Sequence, residues 1–225
     1  MTDSILRAVL WDMDGTLVDT EQYWMAAEHR LVESFGGTWS HEQGLQLVGS
    51  GLEDSARIFQ GVGVAMPALE IVDTLTRDVV DQLKTQGVPF RPGARELLEE
   101  LRVAGIPTAL VTMSMRVMAE LVVDLIPFDA FDVIVAGDEV SRPKPFADPY
   151  LQACAALGVT PRSSVAIEDS PTGLRSAIAA GTLALGVPHF VPLEGVGAAE
   201  LWPTLDGVTT ADLAAFYTRH AGASL

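Results

Sequence analysis

The chain reads as an α/β fold: a parallel sheet covered by helices on both faces, with a four-helix segment inserted near its start. Three observations point there. From Val88 onward, short apolar runs alternate with stretches of helical period. Between residues 20 and 87 the spacing is helical and strand signals are few. Polar residues stand at the ends of four of the apolar runs, where ligands of parallel α/β sheets bind. Short strands alternating with helices imply parallel pairing buried on both sides.

The first strand is the run Ile5 to Trp11, which leads directly into Asp12-Met13-Asp14-Gly15-Thr16. The segment Glu21 to Phe35 places Trp24, Ala27, Leu31, Val32 and Phe35 at helical spacing and stops at Gly36-Gly37. Ser40 opens a capping-box pattern, Ser-His-Glu-Gln, which predicts a second helix through about Val48. Leu52 to Gln60 and Pro67 to Gln86 read as two more, the last with a proline suited to its start and Gly87 to its stop. Four helices in so short a stretch bury little core by themselves, so residues 20–87 are expected to form a cap on a body made of 1–19 and 88–225.

In that body Pro92-Gly93 opens a helix with Leu97, Leu98 and Leu101 on one face, ending at Gly105. Ile106 to Val111 is a strand, Ser114 to Leu125 a helix, and Val133 to Ala136 a strand followed by a loop through Lys144. A helix spans Tyr150 to Leu157, a strand Val165 to Ile167, a helix Pro171 to Ala180 and a strand Leu183 to Leu185. Beyond Pro188 the pattern is irregular, with one helix at Ala211 to Arg219.

Composition narrows the function. Hydrophobic residues make up 48% of the 225 and charged residues 20%, an ordinary globular balance. A net charge of −16, with 14 unclustered Lys and Arg residues, argues against nucleic acid and anionic membrane as partners. The single cysteine, Cys154, sits among alanines as a core thiol and suits a reducing compartment. The short apolar start, broken by Arg7 and Asp12, is no signal peptide, and no run reaches membrane-span length. A cytoplasmic protein is expected, as a monomer or a homodimer. His29, His41, His189 and His220 show no metal-ligand spacing.

Each polar strand end has an ordinary reading. Asp-Gly is common in solvated turns. Glu168, Asp169 or Thr112 would serve as helix caps. Lys144, between Pro143 and Pro145, would serve as a surface loop residue. Together, however, four acidic groups, one of only two lysines and a hydroxyl occupy successive strand ends on one rim. Asp12 and Asp14 point the same way if the chain stays extended, and like charges that close require a cation or a shared proton. The set describes phosphoryl transfer through a carboxylate. Asp12 is the expected nucleophile. Mg²⁺ would take oxygens from Asp12, Glu168, Asp169 and the Asp14 carbonyl. Lys144 offsets phosphoryl charge. Thr112, with the amides around Met113 and Ser114, holds the phosphate. Asp14 exchanges the proton with the leaving oxygen and the water.

These residues, in this order, resemble the haloacid dehalogenase superfamily, in its β-phosphoglucomutase-like and phosphoglycolate-phosphatase-like branch. The likeness is carried by Asp-Met-Asp-Gly-Thr, the helical insert after it, Pro92-Gly93, Leu-Val-Thr-Met-Ser, the Lys-Pro loop and Ile-Glu-Asp-Ser-Pro-Thr-Gly. It implies a Rossmann-like core, a closing helical cap, and Mg²⁺-dependent hydrolysis of a small phosphorylated metabolite through an aspartyl-phosphate. Asp14 separates the chain from the dehalogenases proper, and Lys84 lies too far along the cap for the phosphonate hydrolases. The sugar phosphomutases, the alternative reading, carry a histidine where this chain has Trp24 and an arginine in the cap turn where it has Gly49-Ser50-Gly51-Leu52. Hydrolysis therefore leads. Trp24 and that turn are the expected specificity residues, and Asp148 matches the acidic residue that orients the lysine region. Arg116 reads as a solvated helix residue.

Overall fold

The computed structural model describes residues 5–48 and 50–221. Gly49 of the expected cap turn lies outside the described residues. Six parallel strands form one sheet in the order β3-β2-β1-β4-β5-β6. They are β1 (Ala8–Trp11), β2 (Thr108–Val111), β3 (Val133–Val135), β4 (Ser164–Glu168), β5 (Leu183–Gly186) and β6 (Glu200–Leu201). The fold is α/β with a Rossmann-like sheet, as expected.

β1 lies at the centre, in register with β2 (Val9 beside Thr108) and with β4 (Val9 beside Val165). The chain builds outward from β1 to β2 and β3, then crosses back to build β4, β5 and β6. That reversal makes a crevice at the carboxyl ends of β1 and β4. Side chains alternate between the faces. Val9, Trp11, Val165 and Ile167 join one core with Leu97, Leu98 and Phe216. Ala8, Leu10 and Ala166 join another with Tyr150, Cys154 and Leu174. All are buried, so truncating a residue such as Leu97 to alanine costs about 2–5 kcal/mol.

Four helices follow β1: α1 (Glu21–Ser34), α2 (His41–Leu45), α3 (Leu52–Gly61) and α4 (Ala68–Gln86). The Ser40 capping box forms in both directions, with Gln43 as its partner. The helix nevertheless ends at Leu45, not near Val48, and Gln46 to Val48 form a turn. Both ends of the insert are stitched together. Val18 bridges Phe90 antiparallel, Asp19 N–H donates to Pro89 O at 2.6 Å and Arg91 N–H to Leu17 O at 3.0 Å.

The remaining helices are α5 (Ala94–Val103), α6 (Arg116–Asp124), α7 (Asp148–Leu157), α8 (Pro171–Ala180) and α9 (Thr210–His220). β2 begins at Thr108, two residues later than the apolar run suggests, just past Pro107, which has no amide to donate. The segment after Pro188, expected as irregular before its helix, contains the two-residue β6 on the sheet's edge. No helix among the described residues is long and apolar enough to cross a membrane.

Candidate active site

Asp12 leaves β1 with its amide held by Ile167 O at 3.1 Å. The chain then turns at once: Leu17 and Val18 N–H both donate to Met13 O. Gly15 makes this possible, with φ of +85° and no room for a side chain. A Cβ there would sit 2.1 Å from Asp169 Oδ2. The β1 loop and the end of β4 thus approach as backbone against carboxylate. In the first turn of α8, a Cβ at Gly173 would meet the Glu168 carboxylate at 2.0 Å.

One oxygen from each of Asp12, Glu168 and Asp169 lies within 4.8 Å of the others, all three side chains buried. Their hydrogen bonding is unequal. Lys144 Nζ donates to Asp12 Oδ1 at 2.6 Å, to Glu168 Oε1 at 2.6 Å and to Val111 O at 2.9 Å. Glu168 also accepts from Tyr150 Oη at 2.6 Å and Ser170 Oγ at 3.3 Å. Asp169 Oδ1 accepts from Thr16 Oγ1 at 3.2 Å. Asp12 Oδ2 and Asp169 Oδ2 have no partner, although both are buried. Buried polar atoms are normally satisfied, so two unpartnered carboxylate oxygens side by side ask for a cation. A hard divalent ion fits this donor set.

The electrostatics agree. Burial, and then the neighbouring Glu168, push the Asp12 carboxyl up to about 7, with Lys144 pulling the other way. Burial followed by Asp12 and Glu168 raises Asp169 well above the carboxylate range. Burial opposes the charge on Lys144, but Asp12 and Glu168 outweigh it and raise its pKa. The lysine reaches the site because its loop is clamped. Arg142 donates to Asp148 in bidentate fashion, at 3.0 and 2.8 Å, bracketing the Pro143-Lys144-Pro145 turn. The Lys144–Pro145 peptide is cis.

Asp14 stands apart from the three-carboxylate cluster. The turn after Asp12 abandons the extended course, and Asp14 accepts from Thr20 Oγ1 (2.5 Å), Trp24 Nε1 (3.0 Å), Thr112 Oγ1 (3.3 Å) and Ser114 Oγ (2.6 Å). Thr112 Oγ1 also receives the Ser114 amide at 3.0 Å, and the Thr112 amide goes to Val135 O. Met113 packs its sulfur against the Lys144 amide. Thr112 is not a helix cap, since Met115 occupies the cap position of α6. Ser170 is the cap of α8, not Glu168 or Asp169.

Asp12, Asp14, Trp24, Thr112, Met113, Ser114, Lys144 and Asp169 line one cavity between the inserted helices and the sheet. Glu168, fully buried, does not line it. Ser50 and Leu52 of the expected turn also line it. Arg116 is outside, paired with Glu139 and donating to Ile134 O. Cys154 is buried, and burial raises its thiol. Sequence reasoning missed Glu21 and Glu28, both cavity residues, and Tyr150, which anchors Glu168. The signal was present in α1: Glu21, Trp24 and Glu28 fall on one helical face, a stripe otherwise apolar.

A family model for haloacid dehalogenase-like hydrolases matches residues 9–187. A phosphorylated carbohydrates phosphatase from Thermotoga maritima is 33% identical over 192 residues, spanning 82% of this chain and 86% of the relative. Hexitol phosphatase A from Escherichia coli is 31% identical over 196 residues, with 83% and 86% covered. Among solved structures, CbbY from Rhodobacter sphaeroides in complex with phosphate superposes with a TM-score of 0.84 at 29% identity, over 93% of this chain and 99% of that one.

Proposed function

The chain belongs to the haloacid dehalogenase-like hydrolases and is a phosphoric monoester hydrolase of that type; from this premise we propose that it is an Mg²⁺-dependent phosphatase of a small phosphorylated metabolite, working through an aspartyl-phosphate on Asp12. The observation that carries the metal and the nucleophile is the pair of buried, unpartnered oxygens on Asp12 and Asp169. Residues 20–87 serve as a cap and residues 1–19 with 88–225 as the catalytic core.

Asp12, Asp169, Glu168 and the Asp14 carbonyl would hold the Mg²⁺. Bound there, it supplies positive charge that lets carboxylates and a phosphoryl group approach one another. The residues of the chain do the rest. Lys144 keeps the Asp12 carboxylate oriented and shares the charge of the phosphoryl oxygens. An Asp12 oxygen attacks phosphorus as the bond to the leaving oxygen breaks, and Asp14 gives that oxygen its proton. Water then attacks the phosphorus of the acyl-phosphate, Asp14 takes the water's proton, and phosphate leaves with Asp12 restored. Thr112 and Ser114, whose hydroxyls reach Asp14, are placed to hand those bonds to an incoming phosphate. Trp24 covers the site and excludes water.

Hydrolysis is favoured over the mutase alternative by the cavity's cations. Among the described residues Lys144 is the one cation lining it, and it is already paired. A bisphosphate turning over in place needs a second positive group. The test is phosphate release from a panel of phosphorylated metabolites and p-nitrophenyl phosphate, with and without Mg²⁺. Turnover that requires Mg²⁺ supports the reading. No release from any ester, or isomerisation without release, sinks it.

A further inference from the structure

Phosphoryl transfer uses one end of the cavity and leaves the end under the inserted helices unexplained. There α1 turns Glu21 and Glu28 inward, flanking Trp24. Glu21 is 8% exposed, and its carboxylate has no hydrogen bond or ion pair among the described residues. Glu28 is 7% exposed and accepts only from Trp39 Nε1 at 2.9 Å, with no cation beside it. Gly44 leaves room for it, since a Cβ there would come within 3.2 Å of Glu28 Oε2.

The cavity's other carboxylates are accounted for. Asp12 and Asp169 face the metal position, and Asp14 has four donors. Lys144 is spent on Asp12 and Glu168. Glu21 and Glu28 are therefore buried carboxyl groups whose ionised forms have no counter-charge from the protein. Burial pushes Glu21 up to about 8, with Asp14 and Glu28 adding to it, and burial pushes Glu28 up to about 7. The remaining wall at this end is Leu47, Leu52, Phe59 and Leu75 with two serines. Such a surface repels a second phosphate or a carboxylate. Hydroxyl groups would bond to the carboxyls but do nothing for their ionised forms, whereas an ammonium supplies both donors and the charge that favours ionisation.

We infer that this end of the cavity binds an ammonium group, so that the substrate class is the phosphate monoester of an amino alcohol or an aminated polyol, phosphate toward Asp12 and amine between Glu21 and Glu28. This rests on the phosphatase reading above and narrows it.

The experiment compares kcat/KM for phosphate release from matched pairs, glucosamine 6-phosphate against glucose 6-phosphate and 2-aminoethyl phosphate against 2-hydroxyethyl phosphate. p-Nitrophenyl phosphate is run alongside. The amine is expected to win by about tenfold or more in at least one pair, and that ratio to shrink to within about threefold in Glu28→Gln. Glu21→Gln carries the same comparison if the first variant does not fold. Turnover of p-nitrophenyl phosphate with no preference for the amine in either pair, or with a preference the variants keep, overturns the inference and leaves the phosphatase reading standing. No turnover of any ester overturns both.

Discussion

The indole nitrogen of Trp24 donates to Asp14 Oδ1 across 3.0 Å, joining the first inserted helix to the loop that leaves β1. One side chain of the helical insert thereby fixes the orientation of the proposed proton donor. Trp24→Phe keeps the ring and deletes the donor. A bond to a charged group is worth roughly 1.5–3 kcal/mol, so kcat should drop by about tenfold or more. Steady-state kinetics at several pH values check this, and an unchanged kcat would remove Trp24 from any positioning role.

Asp12→Asn replaces the proposed nucleophile with an isostere that cannot form an acyl-phosphate. Phosphate release should fall by at least about a thousandfold, as when a nucleophile is removed from other enzymes. The folded protein should be retained, because the amide relieves part of the carboxylate crowding around Glu168 and Asp169. Circular dichroism alongside the assay separates the two effects.

Chelation gives a third test. In EDTA, activity should vanish and return with Mg²⁺, and added Mg²⁺ should raise the melting temperature by mass action. Asp169→Asn removes one of the two unpartnered oxygens and should abolish the Mg²⁺-dependent shift. A shift of wild-type size in that variant would place the ion elsewhere.

Lys144→Gln should be costly in another way. Its ammonium is buried against two carboxylates, and removing one partner of such a set leaves uncompensated charge worth about 3–5 kcal/mol. Urea denaturation should show the loss at pH 8, and the assay should show little remaining kcat. If unfolding is unaffected, Asp12 and Glu168 are not held as described.

The pH dependence of stability carries an unusual sign. Glu21 stands at about 8 in the folded chain against about 4.3 when unfolded. The folded state thus holds the proton more tightly. Its stabilising contribution is complete below the unfolded value and declines as pH rises toward 8. Glu21→Gln has no such dependence. In EDTA, the variant's advantage in unfolding free energy over wild type should grow between pH 5 and pH 8. A constant difference across that range would falsify the shift.

Strand ends were legible in the sequence because each apolar run stops at a polar residue, and the parallel sheet brings those stops to one rim. Asp12, Lys144, Glu168 and Asp169 meet for that reason. Less legible was Asp14, whose course depends on a turn set by Gly15 and whose partners come from two separate stretches, the start of α1 and the turn after β2. Glu21 and Glu28 hid inside an amphipathic pattern in which acidic residues read as solvated. α2 ended early even though its capping box formed, since a good start does not carry a helix through the turn that follows. β6 is too short to leave a pattern at all.

The entry and exit of the helical insert are neighbours, with Val18 bridged to Phe90 and Asp19 bonded to Pro89. An excursion that departs and returns at one point leaves the strand order of the sheet untouched by whatever lies between. The helices are therefore exchangeable only where a replacement keeps the start of the first one: a different bundle grafted between those two junctions would give the same chemistry a new clientele provided that it still presents Thr20 and Trp24 to Asp14.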